Sequence, residues 1–102
     1  MTRAREVIEG PQYQGKDEKI VWTLDIRAWG VMPTNITVTV YDETGTDVTA
    51  TVMTGSPTTP TTTTIALPLL HSLTPDTQYR VEVQFDAGAQ TLEGYFIIIA
   101  ED

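Results

Sequence analysis

Few side chains in this chain are suited to chemistry, and their spacing does not assemble them into a working set. His71 is the one histidine and cysteine is absent, so neither a Cys/His nucleophile pair nor a zinc-type ligand set can be built. It stands beside Leu70 and Ser72 in what reads as a turn. Carboxylates lie close together as Asp42 with Asp47 and as Glu101 with Asp102. General acid–base work needs environments that push two pKa values apart, whereas both pairs fall in a loop or tail where each group is expected to be solvated. Asp42, Glu43 and Asp47 crowd into DETGTD, but an EF-hand loop needs acidic oxygens at alternate positions and a distant glutamate. A plain hairpin turn is the reading. The sequon at Asn35 opens a strand, and no secretory leader is expected, because two early arginines run straight into Glu6 and Glu9 without an apolar stretch. No catalytic, cofactor-binding or metal-binding residue is assigned. The chain reads as non-enzymatic, with no cofactor and no small-molecule substrate expected.

The elements around these residues are more informative. In Leu73 to Phe85, LTPDTQYRVEVQF, apolar Tyr79, Val81, Val83 and Phe85 alternate with polar Arg80, Glu82 and Gln84. This period of two belongs to a strand with one face on a core and the other in water. Pro75 and Asp76 supply the corner before it, proline by presetting φ and aspartate by bonding its own backbone. Tyr79, at the first inward position, is expected to pack its ring inside and return its hydroxyl to a backbone group of that corner, a structural tyrosine corner.

Other segments repeat the alternation. Ile20, Trp22, Leu24 and Ile26 define a strand from Lys19 to Ile26, with Trp22 assigned to the core and Asp25 facing solvent or capping the next turn. Trp29 follows, either folded over the edge of the fold or awaiting a partner. Thr34 to Tyr41, TNITVTVY, turns Ile36, Val38 and Val40 inward. After the Asp42–Asp47 turn, Val48, Ala50 and Val52 suggest a further strand from about Asp47 to Met53. The front of TGSPTTPTTTT, Thr54 to Thr64, reads as an extended, mobile connection. Its last threonines start a strand through Ile65 and Leu67, closed by Pro68. Leu69, Leu70 and Leu73 then cap the core. Near the N-terminus, Ala4 to Ile8 is expected as an edge strand and Tyr13 to Lys16 as a loop.

The last strand, after a turn at about Ala87 to Gln90, is apolar on both faces: Leu92, Phe96 and Ile98 on one, Tyr95, Ile97 and Ile99 on the other. Such a strand is central and covered twice, or an edge whose outer face meets another protein. Tyr95, Ile97 and Ile99, with Trp29, are the candidate interface; cover by the N-terminal residues is the competing reading.

Composition bounds the partners. The 102 residues carry a formal charge of −8, which would repel a phosphate backbone and anionic lipid alike, so neither nucleic acid nor membrane is expected. No apolar run approaches the roughly 18 residues of a membrane span, and without disulfides cohesion must come from the core. One domain is expected: residues 1–16 as an N-terminal arm or edge strand, and 17–102 as a single β-sandwich.

Leu73, Pro75, Thr77, Tyr79, Val81 and Val83 resemble the LxPxTxYxVxV signature of fibronectin type III and related immunoglobulin-like domains. The resemblance implies an all-β, immunoglobulin-like (fibronectin type III-like) β-sandwich of about seven antiparallel strands. A second resemblance runs from Lys16 to Asp102. WTLDIRAW (Trp22 to Trp29), a threonine-rich middle, LTPDTQYRVEV and the terminal TLEGYFIIIAED are similar, in that order, to a group of small phage and prophage virion proteins of the fibre–tail adaptor or tail-associated kind. The middle loop differs from theirs in carrying prolines where they tend to carry glycines. This second resemblance implies a structural subunit made in the cytoplasm of a bacterial host and carried into a virion. Its partners would be other virion or assembly proteins, or further copies of itself. The alternative is a fibronectin type III-like adhesion or carbohydrate-binding module presenting Trp29, Tyr13 and Tyr41.

Overall fold

A computed structural model describes residues 4–6, 11–26 and 32–102. Trp29, with the whole turn from Arg27 to Gly30, lies outside the described residues, as do Val7 and Ile8 of the expected first edge strand. The fold is all-β, with one turn of helix. In chain order the strands are β1 (Ala4–Glu6), β2 (Gln12–Gly15), β3 (Thr23–Asp25) and β4 (Thr34–Tyr41), then α1 (Thr49–Val52), β5 (Met53–Thr54), β6 (Thr58–Thr61), β7 (Thr64–Ala66), β8 (Leu69–Leu70), β9 (Gln78–Ala87) and β10 (Gln90–Glu101).

The largest sheet has the order β1-β10-β9-β4, with β2 also on β10. Its centre is the β9/β10 hairpin, paired from Gln90↔Ala87 to Ile99↔Gln78. Gly88 and Ala89 make the turn, and Gly88 takes φ +64°, a left-handed value that a two-residue hairpin turn demands and that glycine meets without a Cβ clash. The alternation read in the sequence is observed on both strands. Tyr79, Val81, Val83 and Phe85 are buried from β9, and Phe96, Ile98 and Ala100 from β10.

A three-stranded sheet, β3-β7-β6, and the pair β5-β8 complete the pairing. Backbone bonds outside the regular strands connect them. Ile20 and Leu70 exchange N–H···O bonds of 3.0 and 2.9 Å, and the Leu67 amide donates to Trp22 O at 2.9 Å. Residues 20–26 thus follow 63–70 along most of their length. Leu24, Ile26, Ile65 and Leu70 from this side share one buried cluster with Val40, Val81, Phe85 and Phe96 from the large sheet. Each fully buried aliphatic or aromatic side chain there contributes roughly 1.5–3 kcal/mol. Trp22 is partly buried against that cluster, its ring 6.0 Å from that of Phe96 in a tilted pairing.

Four expectations are corrected. Residues 47–53 do not form a strand: Thr49–Val52 is a helical turn. Asp47 Oδ1 accepts from the Thr49 amide and hydroxyl at 3.0 and 2.7 Å, and Val48 O accepts from the Thr51 and Val52 amides. Val48 and Val52, four residues apart, satisfy helical as well as strand spacing. Gln12–Gly15 is a strand rather than a loop. Thr58–Thr61 pairs with β7, so strand begins earlier in the threonine–proline stretch than its last threonines, within the part expected to be a mobile connection. Finally, the pairing is not wholly antiparallel and β10 is not an edge. β1 and β2 both run parallel to β10, with Ala4↔Glu93 and Ile98↔Gln12 in register.

Candidate interaction surface

The outward face of the large sheet gathers a set of apolar residues outside the core. Residues paired across neighbouring strands share a face, so the register assembles this surface row by row. Tyr13, Ile99 and Gln78 form one row, Ile97, Arg80 and Tyr41 the next, and Tyr95, Glu82 and Thr39 a third. Tyr95, Ile97 and Ile99 are half-buried, because β9 flanks β10 on one side and β1 and β2 on the other. The N-terminal strands therefore border this face laterally. Tyr13, beside Ile99, is 56% exposed.

Arg80 sits at the centre of the surface. Its guanidinium carbon lies 4.0 Å from the Tyr95 ring centroid, within reach of a cation–π attraction. Its Nε is 2.8 Å from Glu82 Oε2, but off the N–H axis, so the contact is ionic and leaves that N–H without a directed hydrogen bond. Arg80 thus spreads its charge between an aromatic face and a carboxylate. Beside it an open hollow of about 410 Å³ is lined by Tyr41, Asp42, Gln78, Arg80, Glu82 and Ile97.

The corner residue lies at the opposite side of β9. Tyr79 is buried, and its hydroxyl accepts from the Thr74 amide at 2.9 Å. Pro75 precedes Asp76, which takes φ +61°, and the Asp76 amide reaches Ala100 O at 2.9 Å.

Sequence reasoning missed Gln14. It is buried, with Nε2 donating to Leu70 O at 2.8 Å and Glu18 O at 3.1 Å while Oε1 accepts from Trp22 Nε1 at 2.9 Å. One amide thereby joins β2, the loop after it, residue 22 and β8. The burial of a glutamine is affordable because all three bonds are made. Only its place two residues from Gln12, on alternate faces from Tyr13, hinted at an inward position.

His71 has more organised surroundings than expected of a turn residue. Nε2 is 2.7 Å from Thr54 Oγ1 and Nδ1 is 2.8 Å from Ser72 Oγ. A hydroxyl, a base and an orienting hydroxyl in sequence resemble a nucleophilic relay, but both bonds lie at the surface, in water, and of the three residues it is Ser72 that borders an open hollow, one of about 320 Å³. The cluster is a surface clasp between β5 and the chain after β8.

The acidic turn is occupied by its own donors. Asp42 Oδ1 accepts from the Thr44 hydroxyl at 2.6 Å, the Thr44 amide at 2.9 Å and the Thr46 amide at 3.1 Å. The Thr44 hydroxyl and then the Thr46 amide hold the Asp42 carboxyl below its ordinary pKa. The Thr49 hydroxyl and amide do the same for Asp47. Asp86 is lowered by the Asn35 amide and the Thr91 hydroxyl, which join β4, β9 and β10 through one carboxylate at 2.8 Å each. Among the described residues no three His, Asp or Glu side chains gather as a metal site, and no helix is long and apolar enough to cross a membrane.

Compared with protein-family models, curated proteins and solved structures, the chain matches none of them.

Proposed function

We propose that this chain is an immunoglobulin-like, fibronectin type III-like β-sandwich that serves as a non-enzymatic structural subunit of a phage or prophage virion, at the tail or as a fibre–tail adaptor. Two features support the sandwich: the single buried cluster drawn from both the large sheet and the smaller pairings, and the Tyr79 hydroxyl returning to Thr74. The virion assignment rests on the ordered resemblance from Lys16 to Asp102. The observation that carries the binding role is the outward row of Tyr95, Ile97 and Ile99, half-exposed beside an exposed Tyr13 on a regular strand. Aromatic and aliphatic side chains with a central arginine are the composition of protein-contact cores.

Sedimentation velocity of the protein, alone and with the products of adjacent genes, tests this reading. Co-assembly lost on replacing Ile97 and Ile99 with glutamate is expected. A protein that stays monomeric with every neighbour, encoded away from any morphogenesis cluster, would end it. The carbohydrate-binding alternative draws on one observation, the hollow beside Tyr41 with its polar Gln78, Arg80 and Glu82. Saturable binding on a glycan array that is lost in Tyr41→Ala would favour it.

A further inference from the structure

The large sheet ends on β4, and this edge differs from the others. Val40 O accepts from the Val48 amide at 2.8 Å, and the Val40 amide donates to Thr49 Oγ1 at 2.8 Å. The main-chain groups of Val40 therefore point away from β9. By the two-residue alternation of an antiparallel ladder, so do those of Val38. Beyond the ladder with β9, no described residue bonds the Val38 amide or carbonyl.

Sheet edges are ordinarily protected by charge, by proline or by shortness. β6 carries Pro60 and β3 carries Asp25, while β1 and β2 are short, at three and four residues. β4 is eight residues long, TNITVTVY, with neither charge nor proline. Its one irregularity, the bulge between Thr34 and Thr37, lies before Val38. Alongside runs an open groove of about 580 Å³, whose apolar lining includes Val38, Val48, Met53, Pro57 and Pro68 and whose one charged lining residue is Asp47.

We propose that the free edge of β4 receives an extended segment of a partner chain, one that alternates apolar residues with lysine or arginine. Strand addition would satisfy the Val38 amide and carbonyl, and alternate side chains would enter the groove. Charge selects the occupant. The chain carries −8, Asp47 faces the groove, and Asp42 and Glu43 follow directly at the end of β4, so a cationic segment is attracted while a second acidic copy is opposed. This inference uses a different surface from Tyr95, Ile97 and Ile99 and stands apart from the proposed function.

The test uses the full chain and a capped peptide of about eight residues alternating valine and lysine, titrated at low salt and followed by amide NMR. Saturable shifts centred on Val38, with slowed exchange of its amide, are expected. Val38→Pro should weaken binding about tenfold, the loss of the one hydrogen bond its amide would donate. Asp47→Asn, which keeps the oxygen that caps Thr49, should weaken it about threefold. A peptide N-methylated at alternate amides should not bind in the register that meets Val38, and a valine–glutamate peptide should not bind at all. Equal binding of the methylated or glutamate peptides, shifts centred on Tyr95 and Ile97, or no binding of the lysine peptide would overturn the proposal. So would a dimer without peptide that Val38→Pro abolishes, which would assign the edge to a second copy. Should Val38→Pro not fold, the methylated and glutamate peptides decide the matter on the unaltered protein.

Discussion

The Thr74 amide donates to the Tyr79 hydroxyl at 2.9 Å, closing a five-residue corner against the ring of the residue that follows it into the sheet. Tyr79→Phe keeps the buried ring and removes the acceptor. Thr74 is exposed, so water can partly replace the lost bond, and the cost belongs at the lower end of the usual range, about 1 kcal/mol. Urea unfolding with an unchanged m-value should report it. Equal midpoints for the two proteins would show that the corner contributes nothing to stability.

Gln14 carries a larger stake. Gln14→Leu retains an apolar stem but leaves Trp22 Nε1 without its acceptor and Leu70 O with the Ile20 amide alone. We expect a loss of about 1–3 kcal/mol and faster amide exchange along β2. A stability within about 0.5 kcal/mol of the parent, the scatter of neutral surface substitutions, would contradict the role assigned to this amide.

Arg80 and Tyr95 should be coupled. A double-mutant cycle of Arg80→Ala with Tyr95→Leu is expected to return an interaction energy of about 0.5–1 kcal/mol. Additive single effects would mean that the 4.0 Å approach is geometrically close but energetically idle.

Acid should destabilise the fold through three aspartates. Hydrogen bonds lower the carboxyl pKa of Asp42, Asp47 and Asp86 below 3.8 in the folded chain. The native state then holds fewer protons than the unfolded chain near that pH. The stabilisation is complete above 3.8 and is lost as pH falls through the lower folded values. Carboxyl NMR titration should place all three midpoints below 3.8. Thr44→Val should bring Asp42 back toward it while leaving Asp86 in place.

Strands with one buried face were legible in the sequence. TNITVTVY carries β-branched residues at alternate inward positions, and the observed β4 has the same limits, Thr34–Tyr41. Tyr79 to Phe85 and Leu92 to Ile98 were readable for the same reason, and the Pro75–Asp76 corner pointed to the tyrosine bond. Where short segments obey two periods at once, sequence could not decide. Val48 and Val52 fit a strand, but Asp47 caps the Thr49 amide and makes the turn helical. Thr58–Thr61 lacks large apolar residues, and its strand geometry comes from pairing with β7, a tertiary effect. Gln14 was invisible because a polar residue is buried only when specific partners meet it, and Leu70 lies 56 positions away. The edge or centre position of β10 depended likewise on which neighbour arrived, and the N-terminal strands took that side.

The parallel arrangement of β1 and β2 on β10 also determines how the domain bears load. Ala4 lies opposite Glu93, and Gly15 opposite Glu101. Tension drawn in at Ala4 and out at Glu101 therefore slides these strands lengthwise past one another. The Ala4–Glu6 rungs take that load first and the Gln12–Gly15 rungs after them, each set stretched together rather than peeled singly, as in a shear joint.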